Sequence, residues 1–285
     1  MIRNLTMHHF ITTFACTLTV ALLAVAHTPP ADAGERCSKI SGRCFEWPLL
    51  PDGSKLPETK SNGVWTKPDG DGPFPAIIIA ESCGGSKPAV DKMWPDYFND
   101  LGYATYTPRV LERFGEKYCP SLGFVANNKN RIKMLSIIYT ALDEILEKPY
   151  IKKDNVGVIG FSLGGISIRD FGEIKNLTSP AGNKFGYAIP VYPNCTLWDW
   201  AGDQIPTLLL TAEKDTARGK HKACLKIKSQ NFPNLTYHEI KGAYHAFDDE
   251  SAKGSKDVGD NVMKYDEAAL KEAKEVIAKF LKTVN

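Results

Sequence analysis

The chain has 285 residues, of which 43% are hydrophobic and 24% charged, with a formal net charge of +2. This is ordinary composition for a folded globular protein. So small a charge, with no long lysine/arginine block, no internal repeat and no low-complexity tract, argues against nucleic acid as a partner.

Phe10 to Ala26 is apolar apart from threonines, with Arg3 ahead of it and the small residues of Ala31-Asp32-Ala33 behind it. This pattern predicts a secretory signal peptide over 1–33, cleaved after Ala33. The competing reading is an uncleaved anchor, for which about seventeen residues is marginal. Cys16 lies inside the apolar run, too early for lipid attachment. The mature chain, 34–285, is then one exported domain, periplasmic or secreted, with no stable membrane insertion.

Residues 34–75 are rich in Pro, Gly, Ser and charge, and read as a leading segment with short edge strands near Phe45 and Val64-Trp65. From Ala76 the pattern alternates. Short apolar runs predict strands over 76–80, 103–107, 156–161, 187–192, 207–211 and 235–240. Helices are expected over 89–101, 128–147, 163–175, 217–230 and 265–283. Such alternation gives an α/β fold, a mostly parallel sheet with helices on both faces. In the last helix Leu270, Ala273, Val276, Ile277, Phe280, Leu281 and Val284 form one apolar stripe, read as core packing.

The mature chain holds six cysteines: Cys37, Cys44, Cys83, Cys119, Cys195 and Cys224. An even number in an exported protein favours disulfides, although six allow fifteen pairings. Cys37 and Cys44 flank a short turn. Cys83 and Cys119 both fall in loops after strands. Cys195 follows one strand, and Cys224 lies on the helix after the next. The expected pairs are 37–44, 83–119 and 195–224. Cys-x-x-Cys and His-x-x-x-His spacings are absent, so no metal site is expected.

Gly160-Phe161-Ser162-Leu163-Gly164 is the Gly-x-Ser-x-Gly pattern, set between an apolar β-branched run and a potential helix. Strand, sharp turn and helix would lift the Ser162 hydroxyl to the top of a sheet. A serine needs a base, and the base needs an orienting acid, here in the order Ser, Asp/Glu, His. His8, His9 and His27 fall in the leader. His221 sits in a lysine-rich stretch (Lys220, Lys222, Lys226, Lys228) and is read as a solvated surface residue. His238 lies within an alternating strand. His245 follows that strand in a loop at its carboxyl end, where this kind of fold places reactive groups. Asp215 follows the strand 207–211 in the same way, with Glu213 the fallback on the same loop. Asp199 and Asp203 precede that strand, at the wrong end. Oxyanion donors are expected from the N–H of Leu163 and from the loop Glu81-Ser82-Cys83-Gly84-Gly85, through Cys83 or its neighbour Ser82.

With these motifs in hand the chain resembles the dienelactone hydrolase family of α/β-hydrolases from about Gly63 onward. The resemblance is carried by Gly-Phe-Ser-Leu-Gly-Gly at 160–165, Thr-Ala-Glu-Lys-Asp at 211–215 and Gly-Ala-Tyr-His-Ala-Phe-Asp at 242–248. It implies the α/β-hydrolase fold and a Ser162–His245–Asp215 triad. It also implies a glutamate, Glu81, interacting with the nucleophile, and an arginine, Arg113, that binds a substrate carboxylate, with Arg109 the nearby competitor. A charged pair between Glu81 and one arginine would keep the acid ionised. Two departures stand out. Founding members carry cysteine at the nucleophile and an arginine shortly after the histidine. Here serine stands at 162, and Ala246-Phe247-Asp248-Asp249 offers acids. The expected activity is hydrolysis of small carboxylic esters or lactones without a cofactor. A peptidase or amidase with the same triad, or a catalytically weak binding protein on the same scaffold, is the alternative.

Overall fold

A computed structural model describes residues 34–37, 44–47, 54–169, 176–195, 205–216, 220–254, 256–258 and 261–285, all within one unit, Asp32–Asn285. The expected leader, Asp199, Asp203 and parts of two expected helices (170–175 and 217–219) lie outside the described residues, as do the side chains of Cys37 and Cys44.

Strands β1 (Gly34–Cys37) and β2 (Cys44–Trp47) pair antiparallel, with Cys37 opposite Cys44. The main sheet is built from β3 (Gly63–Thr66), β4 (Phe74–Ala80), β5 (Ala104–Pro108), β6 (Ile151–Phe161), β7 (Tyr187–Val191), β8 (Thr207–Ala212) and β9 (Leu235–Ile240). Their order is β3-β5-β4-β6-β7-β8-β9. Only β3 runs antiparallel to its neighbour; the other pairings are parallel. A short hairpin, β10 (Lys256–Val258) and β11 (Asn261–Met263), stands apart from this sheet. Helices α1 (Trp94–Asp100), α2 (Leu122–Ala126), α3 (Asn128–Leu146), α4 (Leu163–Arg169), α5 (Lys220–Ser229) and α6 (Glu267–Val284) occur in the connections and at the end of the chain.

The continuous apolar run in β4 follows from burial on both faces. Ile77 and Ile79 pack with Trp94 and Phe98 of α1 and Ile277 and Phe280 of α6. Ile78 and Ala80 meet Leu135, Ile138 and Leu142 of α3 and Ile166 of α4. On α5, Ala223 and Ile227 cover Leu209. The expected stripe on α6 is the core-facing one, with Val276 and Val284 at its margin. Asp266 caps α6 by accepting the Ala269 N–H at 3.0 Å, and Asn127 caps α3 by accepting the Asn130 N–H at 3.2 Å.

The structure differs from the sequence expectation in several places, among them helix α2, which no expected element covers. The helix expected over 89–101 opens with a wider π turn at Ala89–Met93. Pro95 has no N–H to give to the carbonyl four residues back, and the Trp94 N–H instead reaches the Ala89 carbonyl. Strand β6 starts at Ile151, ahead of its apolar run, because Lys152, Lys153 and Asp154 are exposed and carry no apolar signal. The three-residue strands of the β10–β11 hairpin are too short to show alternation.

Between β6 and α4 the chain turns sharply at Ser162, which has φ 51°. The flanking glycines leave no room for a side chain. A Cβ on Gly160 would lie 2.4 Å from the Gly164 carbonyl carbon, and one on Gly164 would lie 2.3 Å from the Ala80 carbonyl oxygen. Gly164→Ala therefore forces β4 and α4 apart. Urea unfolding should show a loss of about 1–3 kcal/mol, the usual cost of overpacking. A variant with wild-type stability would show that the turn has slack.

Candidate active site

The parallel sheet brings three loops together at the carboxyl ends of β6, β8 and β9. Ser162 leaves β6, and its strained turn is pinned from both sides. The Ser162 N–H donates to the Val191 carbonyl of β7 at 3.0 Å, and the Gly164 N–H donates to the Glu81 carbonyl after β4 at 3.0 Å. Positive φ at a residue with a Cβ costs energy and persists only where the surroundings impose it.

Asp215 follows β8, and His245 follows β9. The Asp215 Oδ2 lies 2.7 Å from His245 Nδ1, and His245 Nε2 lies 2.9 Å from the Ser162 Oγ. The acid and the imidazole are both buried. The two loops are joined through the Lys214 N–H, which donates to the Ala243 carbonyl at 2.8 Å. Burial opposes the charge on Asp215, but the facing His245 and Lys220 outweigh it and hold the carboxyl below its ordinary value. Glu213 faces elsewhere: it accepts the Gly242 N–H at 2.8 Å and a hydrogen bond from Lys241 at 3.2 Å. The rival histidines are engaged away from Ser162, His238 with Glu272 at 2.7 Å and His221 with Glu239.

Helix α4 begins at Leu163, where helix geometry leaves the first N–H groups without intrahelical acceptors. Across from it, Ser82–Gly85 forms a tight turn. The Gly85 N–H donates to the Ser82 carbonyl at 3.0 Å, and the Gly84 N–H donates to the Ser82 Oγ at 3.1 Å. The Cys83 N–H has no protein acceptor among the described residues. Cys83 is bonded to Cys119 and Cys195 to Cys224, the pairs expected for these four cysteines.

The sequence profile of the dienelactone hydrolase family matches residues 62–285. The chain belongs to this family. The family is one of hydrolases. Among solved structures it is similar to a dienelactone hydrolase-like promiscuous phosphotriesterase, P91, from metagenomic libraries. Identity is 15%, the match covers 79% of this chain and 92% of that one, and the TM-score is 0.57. It is also similar to esterase 2 of Thermogutta terrifontis phosphonylated by cyclosarin, at 13% identity over 90% and 96% of the two chains, with a TM-score of 0.59. At these identities the likeness is one of fold. A local match to dipeptidyl-peptidase 5 of Porphyromonas gingivalis is 28% identical over 102 residues, 33% of this chain and 14% of that protein's length.

Several side chains of this dienelactone hydrolase family member stand where the sequence did not put them. Among the described residues Glu81 makes no ion pair with an arginine. Its carboxylate accepts the Leu111 N–H at 2.6 Å, while Arg109 pairs with Asp91. Nor is Glu81 held ionised. It is 2% exposed, and burial pushes its carboxyl up to about 7 despite the Leu111 hydrogen bond and the charge of Arg109. Arg113 lies on the short 3₁₀ helix Leu111–Phe114, and its buried Nε has no partner among the described residues. Lys220 is not solvated: it is 6% exposed, with Nζ 3.3 Å from the Asp215 Oδ1. A lysine-rich stretch hides which one of its members turns inward.

The acids after His245 do not replace the family arginine at the site mouth. Asp248 is buried and accepts the Trp94 Nε1–H at 2.8 Å and the Tyr192 O–H at 2.5 Å. Burial raises its pKa against these two bonds. The Tyr192 ring meets His245 edge-on, with centroids 4.8 Å apart. Asp249 pairs with Lys87 at 2.5 Å. Tyr192 ends an apolar strand and gave no signal beyond hydrophobicity.

Glu81 sets a pH dependence. Its folded value of about 7 lies above the ordinary 4.5. In that window the folded chain keeps a proton that the unfolded chain releases, so stability falls as pH rises, by about 3 kcal/mol across it. Glu81→Gln keeps an acceptor for the Leu111 N–H and has no proton to lose. The difference in unfolding free energy between variant and wild type should therefore grow in the variant's favour from about pH 5 to pH 7.5. A pH-independent difference would place the Glu81 carboxyl near its ordinary value.

Proposed function

We propose that this family member is an exported serine esterase or lactonase working through an acyl-enzyme. The observation that carries the reading is the hydrogen-bonded chain from Asp215 through His245 to Ser162, at 2.7 and 2.9 Å, ending on a serine held at positive φ. Ser162 Oγ attacks the ester carbonyl while His245 Nε2 takes its proton. Asp215 fixes the imidazole with Nδ1–H toward itself and stabilises the imidazolium. The N–H groups of Leu163 and Cys83 receive the oxyanion. His245 then returns the proton to the leaving alkoxide. Water attacks the acyl-enzyme with His245 again as base, releasing the acid and restoring Ser162. Every step is proton transfer and acyl transfer, and needs no redox partner.

Arg113 forms the substrate end of this reading. The Arg113 Nε is buried and unpartnered among the described residues, which suits a substrate carboxylate. Export is supported by the predicted leader and by two disulfides. Among the described residues no helix is long and apolar enough to cross a membrane. The local similarity to dipeptidyl-peptidase 5 makes peptide cleavage the competing reading, since the same triad serves both.

Ser162→Ala and His245→Ala should each lower turnover of an activated ester by several orders of magnitude with the fold retained by circular dichroism. A fluorophosphonate should label wild type at Ser162 and leave Ser162→Ala unlabelled. Wild-type turnover by Ser162→Ala would remove the assignment, and faster cleavage of dipeptide amides than of esters would favour the peptidase. Arg113→Ala should raise KM for acidic esters by about tenfold or more and leave neutral esters nearly unchanged, as loss of a charged hydrogen bond implies. An equal effect on both would show that Arg113 does not read substrate charge.

A further inference from the structure

We propose that the Cys83–Cys119 cross-link acts in catalysis, holding the Cys83 N–H where the oxyanion forms, so that Cys119 is a positioning residue. The inference rests on the esterase reading above.

The oxyanion loop has reason to be loose. Gly84 and Gly85 follow Cys83 directly, and glycine carries the largest backbone entropy. An oxyanion donor is useful only within about 2.7–3.1 Å of the position the oxygen reaches, without reorganisation. The loop is steadied by the segment 111–119, which follows β5, the strand beside β4. Three ties join them. The Glu81 carboxylate accepts the Leu111 N–H at 2.6 Å. The Cys83 carbonyl accepts the Cys119 N–H at 2.9 Å. The disulfide then closes the same pair covalently across a separation of 36 residues.

The two backbones also lie against each other. Gly85 has φ +66°, and a Cβ there would sit 2.2 Å from the Lys117 carbonyl oxygen. The carbonyl of Cys83 is thus engaged by Cys119, while its N–H has no protein acceptor among the described residues. The carbonyl and side-chain ties place the Cα and nitrogen of Cys83, and with Glu81 held just upstream by the N–H groups of Leu111 and Gly164, little freedom is left to the peptide that carries the Cys83 N–H. The other bridge, Cys195–Cys224, joins the end of β7 to α5 and does not touch this loop.

A donor that acts only in the transition state should affect kcat and spare KM. Deleting one oxyanion donor outright costs about 10²–10³-fold in kcat, so a loosened one should cost about 10- to 100-fold.

The test compares wild type, Cys119→Ser, the double variant Cys83→Ser/Cys119→Ser and Ser162→Ala on one activated neutral ester. Cys119→Ser should lose about 10- to 100-fold in kcat with KM changed less than about threefold. The double variant should match it, which separates loss of the cross-link from any effect of a free Cys83 thiol. If these variants do not fold, wild type is reduced under native conditions and the reduced cysteines are mapped. Its kcat should fall when the 83–119 bridge opens and return on reoxidation. Wild-type kcat without the 83–119 bridge, with Ser162→Ala inactive, would overturn the inference and leave the esterase reading standing. A loss confined to KM would overturn it as well. Activity in Ser162→Ala, or none in wild type, would instead bring down the esterase reading itself.

Discussion

The turn at Ser162 is possible because two neighbouring strands reach into it. A serine at φ 51° would relax if its peptide were free. It is not free, since Val191 takes its N–H and Glu81 takes that of Gly164. Both acceptors sit at strand ends, so the parallel register of β4, β6 and β7 decides the direction in which the hydroxyl points. The buried isoleucines of β4, packed by helices on both faces, secure that register. The core thus supports the reactive geometry through the backbone.

Around this turn the protein buries several acids and gives them different states. Asp215 faces His245 and Lys220, and these two partners together outweigh the cost of burying its charge. Glu81 has one backbone N–H for its charge, and the arginine that acts on it, Arg109, is paired with Asp91, so burial wins. Asp248 receives two neutral donors, from Trp94 and Tyr192, and burial wins again. What separates them is that Asp215 has the Lys220 ammonium within reach as well as the imidazole, while Glu81 and Asp248 accept only from neutral donors. Neutral hydrogen bonds lower a buried carboxyl without matching the desolvation it suffers.

The loops that meet at Ser162 are tied to one another as well as to the sheet. Lys87, just after the Gly84-Gly85 turn, pairs with Asp249 beyond the histidine loop. The hairpin end contributes too, since the Lys264 N–H donates to the His245 carbonyl at 3.1 Å. Tyr192 supports the imidazole from the side and is itself held by Asp248. Each tie is modest alone, and together they limit the ways in which His245 can leave Ser162.

The sequence alone determined the alternation of strands and helices, because apolar runs and stripes are local patterns that burial on two faces imposes. It also determined the order of Ser162, Asp215 and His245 and the loops that carry them, since each follows a strand that can be read directly. Four of the cysteines join in the structure as loop placement led one to expect. What the sequence withheld are the contacts between distant segments. Trp94 and Asp248 meet across 154 positions and Tyr192 and Asp248 across 56, and no local spacing announces either bond. Lys220 looks like its exposed neighbours until α5 is set against the Asp215 loop. Glu81 reads as a charged mouth residue until the segment after β5 closes over it. Charge state and side-chain partnership depend on what folds on top of a residue, and only the tertiary structure decides that.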